Sequence, residues 1–201
     1  MTVEAFLDWV RARPEGERWE LIEGVPVPKH GPEPEHAMAP ESVRHGRIKR
    51  RIDQALGDGI RTRGLPCEAL ARALPPSGLL ERSSSGPQVR VDATTTFEPD
   101  ALVTCADVPD GLLVPQPVIV VEVLSPTTRE RDFSIKLAGY ASLSSVLHYL
   151  LVETERRLIV HHHRTDGTKD FQTSIVRGGT LGLDPPGLSL DVDAIYAGLV
   201  R

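Results

Sequence analysis

The most constraining feature of this sequence is an apolar run over residues 118–124 that a single carboxylate interrupts. Four β-branched residues open the run, Glu122 follows them, and Val123 and Leu124 close it. A continuous run of this kind predicts a strand buried on both faces of a sheet. An ionised carboxylate in such a strand is costly unless a partner compensates it. The partners of Glu122 are therefore the first clue to function.

The other patterns predict one α/β domain over residues 1–201. Hydrophobic content of 40% and charged content of 25% are typical of a globular domain with its own core. An N-terminal β-hairpin is expected, with its turn at Glu23-Gly24. The predicted helices cover residues 3–13, 41–56 and 192–199, and the predicted strands cover residues 89–97, 101–104, 118–124 and a C-terminal antiparallel meander over 148–176.

Several stretches predict irregular structure. Gly57 and Gly59 are expected to end the second helix. Residues 26–40 predict a loop, residues 75–87 predict a loop within an insertion over 75–96, and the tail from residue 181 predicts a loop before the last helix.

The two cysteines have neither the number nor the spacing of a disulfide framework or a metal site. Cys67 and Cys105 are expected to be reduced thiols in a cytoplasmic protein. The N-terminus lacks the basic segment of a secretory signal, and no apolar run has the length of a membrane span. A net charge of −5 argues against a strong non-specific nucleic-acid binder, although a nuclease cleft can be locally basic.

Two carboxylates are positioned to meet at one end of the predicted sheet. Asp100 opens one strand, Glu122 lies near the end of the next, and the ten-residue loop over 107–116 allows the strands to be neighbours. Close carboxylates repel, and a shared proton or a bound cation relieves the repulsion. Hard divalent cations such as Mg²⁺ suit such oxygen ligands.

A helix after the key strand carries a lysine toward the sheet. Thr127 and Glu130 fit a capping box at its start. Phe133, Leu137 and Tyr140 form an apolar stripe that contains Lys136. Such a lysine could reach Glu122 or a substrate phosphate, although a lysine whose stem covers apolar surface is the simpler interpretation.

The combination resembles the PD-(D/E)XK nuclease superfamily, and within it the family of Uma-type putative restriction endonucleases. The resemblance covers nearly the whole chain. It rests on the hairpin at 19–24, the helix at 42–48 with His45, Pro99-Asp100, the stretch 121–128, Asp132, Lys136, Tyr140 and the strand at 149–152. Leu124 stands where the superfamily often has its lysine, and in this family the helix supplies that lysine.

The resemblance implies a restriction-endonuclease-like core, in which helices flank a central mixed β-sheet. It also implies Mg²⁺-dependent hydrolysis of nucleic-acid phosphodiesters, with Mn²⁺ as an alternative ion. Asp100, Glu122 and the Val123 carbonyl would ligate the metal. Lys136 would orient the attacking water or stabilise negative charge, as expected for such a group. The outer candidates are Glu20, His45 and Tyr140. DNA is the expected substrate, and a homodimer is the expected assembly.

Other interpretations stay open. The chain could be a catalytically inactive nuclease-fold module acting in binding or regulation. Glu20 and Glu23 could be solvated strand residues, and His45 could be a core histidine with one hydrogen bond. His161 and His163 alternate onto one strand face and could give two transition-metal ligands, although a solvated edge strand is favoured there.

Overall fold

The computed structural model describes residues 1–14, 17–29, 43–71, 86–124, 132–164 and 170–199. In these residues twelve strands form three sheets. The strands are β1 (Trp19–Ile22), β2 (Val25–Pro28), β3 (Glu68–Ala71), β4 (Val89–Arg90), β5 (Thr96–Phe97), β6 (Ala101–Thr104), β7 (Pro117–Val123), β8 (His148–Val152), β9 (Ile159–Arg164), β10 (Phe171–Val176), β11 (Thr180–Leu183) and β12 (Leu188–Asp191). The helices are α1 (Val3–Arg11), α2 (Val43–Arg63), a π-helical turn (Asp132–Lys136), α3 (Leu137–Ser142) and α4 (Val192–Tyr196).

A six-stranded sheet in the order β10-β9-β8-β7-β6-β3 forms the centre of the fold. Strands β7 and β8 are parallel, and the other neighbouring pairs are antiparallel. The predicted mixed sheet and C-terminal meander are therefore confirmed. The apolar run forms β7, which lies between β6 and β8 and is buried along most of its length. This position explains why its sequence is apolar on both faces.

The N-terminal hairpin is also confirmed. Strands β1 and β2 pair around a turn in which Glu23 and Gly24 have φ angles of 49° and 79°. A type I′ turn requires such positive angles, which glycine adopts without steric cost. Strand β1 also pairs with β5, and β5 pairs with β4, so the hairpin belongs to a four-stranded sheet.

Helix α2 covers one face of the central sheet and is longer than predicted. Ile48, Ile52, Leu56 and Ile60 face the core. The expected end at residues 57–59 is wrong, because the apolar stripe continues to Ile60. A Cβ at Gly59 would lie 3.0 Å from Leu188, so this glycine allows close packing against β12. Gly64, with φ of 60°, follows the true end of the helix.

The opposite face of the central sheet packs against α3 and the four-stranded sheet. The buried residues of this second core include Phe97, Leu102, Val120, Tyr140 and Tyr149. Glu122 lies between Val121 and Val123, which face α2, so its side chain belongs to this second face. Strand alternation therefore directs Glu122 toward α3 and the hairpin.

The C-terminal region contains more regular structure than predicted. Strands β11 and β12 form an antiparallel hairpin where a loop was expected, and α4 follows directly. Leu181, Leu183, Leu188 and Leu190 from this hairpin are buried in the core beneath α2. The prolines and the glycine at the turn are typical of a loop, and the alternating leucines on either side are the signal for the hairpin.

The cysteine prediction is wrong. Cys67 and Cys105 form a disulfide between residues 38 positions apart. The antiparallel register of β3 and β6 pairs Glu68 with Thr104, so the two cysteines lie opposite each other just beyond that pair. Disulfides are rare in cytoplasmic proteins, so the cysteines no longer support the predicted cytoplasmic location.

Several predicted features lie outside the described residues. They are residues 30–40 of the predicted loop, residues 75–85 of the expected insertion, and the capping box from Thr127 to Glu130. Within the expected insertion at 75–96, residues 89–90 form β4. No helix in the described ranges is long and apolar enough to cross a membrane.

Candidate active site

Asp100 and Glu122 meet at one end of the central sheet. Asp100 directly precedes β6, and its backbone N–H donates to the Val121 carbonyl at 2.9 Å, which ties it to β7. Its Oδ2 accepts a hydrogen bond from the Val123 N–H at 2.8 Å. Both carboxylates are buried, with 2% and 1% of their residue surface exposed. The structure thus brings together the two acids that the sequence singled out.

Lys136 is directed inward from the π-helical turn and contacts two carboxylates. Its Nζ lies 2.8 Å from Oε1 of Glu122 and 2.8 Å from Oε1 of Glu20. Its side chain has no exposed surface, so the interpretation as a lysine covering apolar surface is wrong. The ring of Phe97, 5.9 Å from Nζ, adds a favourable aromatic contact.

Glu20 belongs to this cluster, and the interpretation as a solvated strand residue is wrong for it. Strand β1 buries its side chain completely, and Oε1 also accepts the Glu98 backbone N–H at 3.0 Å. Glu23, in the hairpin turn, is exposed as expected of a solvated residue. The difference follows because Glu20 lies within β1, between β2 and β5, whereas Glu23 lies in the turn beyond the strand.

Tyr140 contacts Glu122 directly. Its hydroxyl donates to Oε1 of Glu122 at 3.1 Å. Burial, and then the neighbouring Glu122, Tyr149 and Glu20, raise the pKa of this phenol well above its usual value. Tyr140 therefore remains a protonated hydrogen-bond donor near neutral pH.

Helix α2 contributes His45 and Lys49 to the cluster. His45 Nε2 lies 3.9 Å from Oδ2 of Asp100, and Lys49 Nζ lies 3.2 Å from Oδ1 of the same residue. His45 is thus at the border of the site, one of the two positions considered for it. Sequence reasoning missed Lys49, although its spacing of four from His45 places both on one helix face.

Three further charged residues were also missed. Arg18 Nε donates to Oε1 of Glu98 at 2.7 Å, and its Nη2 lies 3.3 Å from Oδ1 of Asp100. Lys29 Nζ lies 2.9 Å from Oδ1 of Asp100 and 3.2 Å from Oε2 of Glu122. The sequence holds one weak signal for Glu98, its position two residues before Asp100. Arg18 and Lys29 flank the β1–β2 hairpin, and nothing local indicates that they are buried.

The electrostatic environment keeps Asp100 ionised. Burial by itself would raise the pKa of this carboxyl. The ammonium groups of Lys29 and Lys49, the nearby imidazole of His45 and the guanidinium of Arg18 oppose it, and the resulting pKa lies well below the usual value. An ionised carboxylate can bind a metal ion or orient a cationic group.

The donor set fits a hard divalent cation. Mg²⁺ is commonly bound by one or two carboxylates and keeps several waters, so Asp100 and Glu122 suffice. The Lys29 ammonium shows that these two oxygens already hold one positive charge between them. Within the described ranges, no three His, Cys, Asp or Glu side chains are grouped to hold a metal ion. The ligand set here would consequently rely on two side chains with backbone and water oxygens.

The histidines of β9 form a separate cluster. His161 and His163 share one strand face, with ring centroids 4.9 Å apart, as alternation predicted. The expected solvated edge strand is wrong, because β9 lies between β8 and β10 and buries His161 and His162. His148 Nε2 faces the Pro185 carbonyl at 3.0 Å and must donate to it, so its Nδ1 accepts from His161 Nε2 at 2.9 Å. These nitrogens bond each other, which does not favour the transition-metal site.

Comparison with known proteins identifies the family. The model of the Uma2 family, described as "Putative restriction endonuclease", matches residues 3–193. The chain belongs to this family. The predicted membership of the Uma2 family is thereby confirmed.

Two individual proteins are similar to this Uma2 chain. An uncharacterized protein of Synechocystis sp. (strain ATCC 27184 / PCC 6803 / Kazusa) is 33% identical over 125 residues, which is 61% of this chain and 66% of that relative. The crystal structure of a putative nuclease belonging to DUF820, from Anabaena variabilis ATCC 29413, superposes with a TM-score of 0.69 at 14% identity. That match covers 99% of each chain, and the two share a fold.

Proposed function

We propose that this Uma2 protein is a divalent-metal-dependent endonuclease that hydrolyses nucleic-acid phosphodiesters. The supporting observation is that two buried carboxylates, Asp100 and Glu122, meet at one end of the neighbouring strands β6 and β7. Family membership supports the same reaction class. DNA as substrate, Mg²⁺ or Mn²⁺ as the ion, a homodimeric assembly and a cytoplasmic location are parts of the proposal.

Each residue of the site has a chemical role in this proposal. Asp100 and Glu122 would hold the ion, together with the Val123 carbonyl. The bound ion would acidify a water and offset charge on the scissile phosphate. Lys136 orients the attacking water or neutralises charge that develops on the phosphate oxygens.

The outer residues keep the central groups in position. Glu20 accepts from Lys136 and fixes the direction of its ammonium. Tyr140 donates to the Glu122 oxygen that Lys136 also contacts, which orients that carboxylate. His45 borders Asp100 and is placed to bind a water or a substrate oxygen. Such supporting contacts are needed because small displacements of reacting groups cost large factors in rate.

The test compares cleavage of plasmid DNA, single-stranded DNA and RNA by the purified full chain with Mg²⁺, with Mn²⁺ and with EDTA. Asp100→Asn and Glu122→Gln preserve side-chain size and remove the ligand charge, and each is expected to abolish metal-dependent cleavage. Asp58→Asn, at an exposed carboxylate paired with Arg61, is the matched control and should cleave normally. Circular dichroism verifies folding. Cleavage that persists in both site variants would contradict the assignment.

A second candidate function is an inactive nuclease-fold module that acts in binding or regulation. The observation favouring it is that Lys29 already satisfies both carboxylates with a protein cation. Calorimetric titration with Mg²⁺ and Mn²⁺ separates the two candidates. Absence of metal binding and of cleavage, with nucleic-acid binding retained, would select the inactive module.

A further inference from the structure

The Lys29 ammonium lies where a cation shared by Asp100 and Glu122 would bind. Its Nζ is 2.9 Å from Oδ1 of Asp100 and 3.2 Å from Oε2 of Glu122. It also donates to the backbone carbonyl of Glu98. An ammonium has three N–H donors, and three acceptors surround this one. The Lys29 side chain therefore makes the contacts of a bound cation, and it does so in the gap between the two acids.

The hairpin holds Lys29 at this position. The residue directly follows β2, and its backbone N–H donates to the Arg18 carbonyl at 2.9 Å, which continues the pairing of the β1–β2 hairpin. Only 3% of the residue is exposed. The backbone anchor and the burial make the ammonium a resident part of the site rather than a passing surface charge.

The charges of the cluster balance without any metal. Four acidic side chains face four basic ones, which are Glu20, Glu98, Asp100 and Glu122 against Arg18, Lys29, Lys49 and Lys136. Adding a divalent cation to this set leaves an excess of two positive charges in a buried site. Replacing the Lys29 ammonium with a divalent cation leaves an excess of one positive charge. Burial makes uncompensated charge costly, so exchange is favoured over addition.

We propose that the Lys29 ammonium is an intramolecular competitor for the divalent-cation position, and that an ion binds between Asp100 and Glu122 as Lys29 leaves. The inference rests on the proposed metal-dependent function and adds a residue that controls its metal affinity. When only a fraction of the protein molecules is in the binding-competent state, the apparent affinity for the ligand is reduced by that fraction. Removing the Lys29 charge therefore tightens metal binding.

The first experiment measures the Kd of Mn²⁺ alone for the full chain by calorimetry. Lys29→Met is expected to lower the Kd by about tenfold or more, the factor for a competitor that occupies the gap in about nine molecules of ten. Lys49→Met is the matched control, because it removes the same charge beside the same Oδ1 of Asp100. A general charge effect would act equally in both variants, whereas competition for the gap makes the change larger in Lys29→Met.

The outcomes separate this inference from the proposed function. Equal Kd values in the native protein and Lys29→Met, a weaker affinity in that variant, or an equal gain in Lys49→Met overturn the competitor role and leave metal dependence standing. No Mn²⁺ binding to any of the three proteins overturns both. Lys29→Gln keeps an amide donor toward the carboxylates and serves in the same titration if Lys29→Met does not fold.

A second experiment uses the native protein. Lys29 is buried and should resist acetylation by an N-hydroxysuccinimide ester when no metal is present. Saturating Mn²⁺ is expected to increase its modification several-fold, read by mass spectrometry of proteolytic fragments. The amino group of Met1, an exposed residue, reports reagent activity and should not change. Unchanged modification of Lys29 in the Mn²⁺-bound protein would overturn the inference.

Discussion

The hydroxyl of Tyr140 lies 3.1 Å from Oε1 of Glu122, whereas the other carboxylate oxygen, Oε2, faces Lys29. Oε1 also accepts from Lys136 at 2.8 Å, so the two oxygens of this carboxylate have different partners. One oxygen is fixed by α3 and the π-helical turn, and the other is directed to the gap shared with Asp100. Glu122 is thereby oriented in a strand where its sequence neighbours are all apolar.

Tyr140→Phe removes this hydroxyl and keeps the aromatic packing against Phe97 and Tyr149. We expect unfolding in urea to become easier by about 1–3 kcal/mol, because a buried hydrogen bond to a charged group is lost. Metal-dependent cleavage should fall by about tenfold as Glu122 loses its orientation. Tyr196→Phe is the control, since it removes a buried hydroxyl bonded to the Glu153 and Leu158 carbonyls instead. Equal cleavage by both variants would contradict the orienting role.

Lys136 and Glu20 are predicted to be strongly coupled. Lys136→Met leaves Glu20 and Glu122 without this buried cation and should destabilise the fold by about 3–5 kcal/mol. Adding Glu20→Gln neutralises one of the two buried carboxylates that lost this cation. The double variant should therefore be more stable than the sum of the two single effects predicts, by about 0.5–3 kcal/mol. Urea unfolding of all four proteins gives the coupling energy. Strict additivity would show that the 2.8 Å contact is energetically unimportant.

The stability of the domain should depend on pH through the histidine cluster. Burial first, and then the neighbouring His148, His163 and His162, lower the pKa of His161 from 6.5 to about 3. The unfolded chain takes up this proton below pH 6.5, whereas the folded chain does not until about pH 3. Stability present above pH 6.5 is therefore lost as the pH falls through that interval.

The measurement is urea unfolding between pH 7.5 and 5.0, which lies above the range where ordinary carboxylates titrate. One histidine changes the folding constant by at most about tenfold per pH unit. His161→Gln cannot take up the proton, so its stability should decline less steeply than that of the native protein. Parallel pH profiles would contradict the prediction, whatever the absolute stability of the variant.

Gly139 is predicted to tolerate no side chain. A Cβ at this position would lie 2.5 Å from the Phe97 ring. Gly139→Ala should therefore lower the free energy of unfolding by about 1–3 kcal/mol through overpacking. Combining it with Phe97→Leu makes room for the methyl group and should recover part of the loss. The control is Gly46→Ala in α2, where a Cβ meets nothing within 4 Å and should stabilise the helix by about 0.5–1 kcal/mol.

The Cys67–Cys105 disulfide links the edge strand β3 to β6. We expect the denatured, unreduced protein to contain no free thiol when assayed with a chromogenic disulfide reagent. Reduction, or the Cys67→Ser/Cys105→Ser variant, should destabilise the fold by about 2–4 kcal/mol because the unfolded chain gains freedom. Two titratable thiols in protein purified without reductant would contradict the pairing.

The sequence was informative about the site wherever a residue broke a local pattern. Glu122 interrupts an apolar strand, and Lys136 interrupts an apolar helix stripe, so each required an unusual environment. Asp100 opens the neighbouring strand, and Tyr140 continues the stripe. These four positions follow from periodicity and strand adjacency together with the family resemblance.

The missed residues break no pattern of this kind. Arg18 and Lys29 stand in polar, proline-containing surroundings where a charge is ordinary, and their burial depends on how the hairpin packs against β5 and β6. The end of α2 was misplaced because Gly57 and Gly59 are common helix terminators, whereas packing of Ile60 against the core extended the helix. The cysteine pairing depended on the register of β3 and β6, which local composition does not specify.

The polar cluster joins parts of the chain that are far apart in sequence. Lys29 and Glu122 are separated by 93 residues, Lys29 and Glu98 by 69, and Glu20 and Glu98 by 78. Contacts of such high separation close large loops at a cost in chain entropy, and we expect them to form late in folding. A partly folded chain would keep these charges in water, so their desolvation belongs to the final step, and mutations that weaken the cluster should accelerate unfolding more than they slow folding.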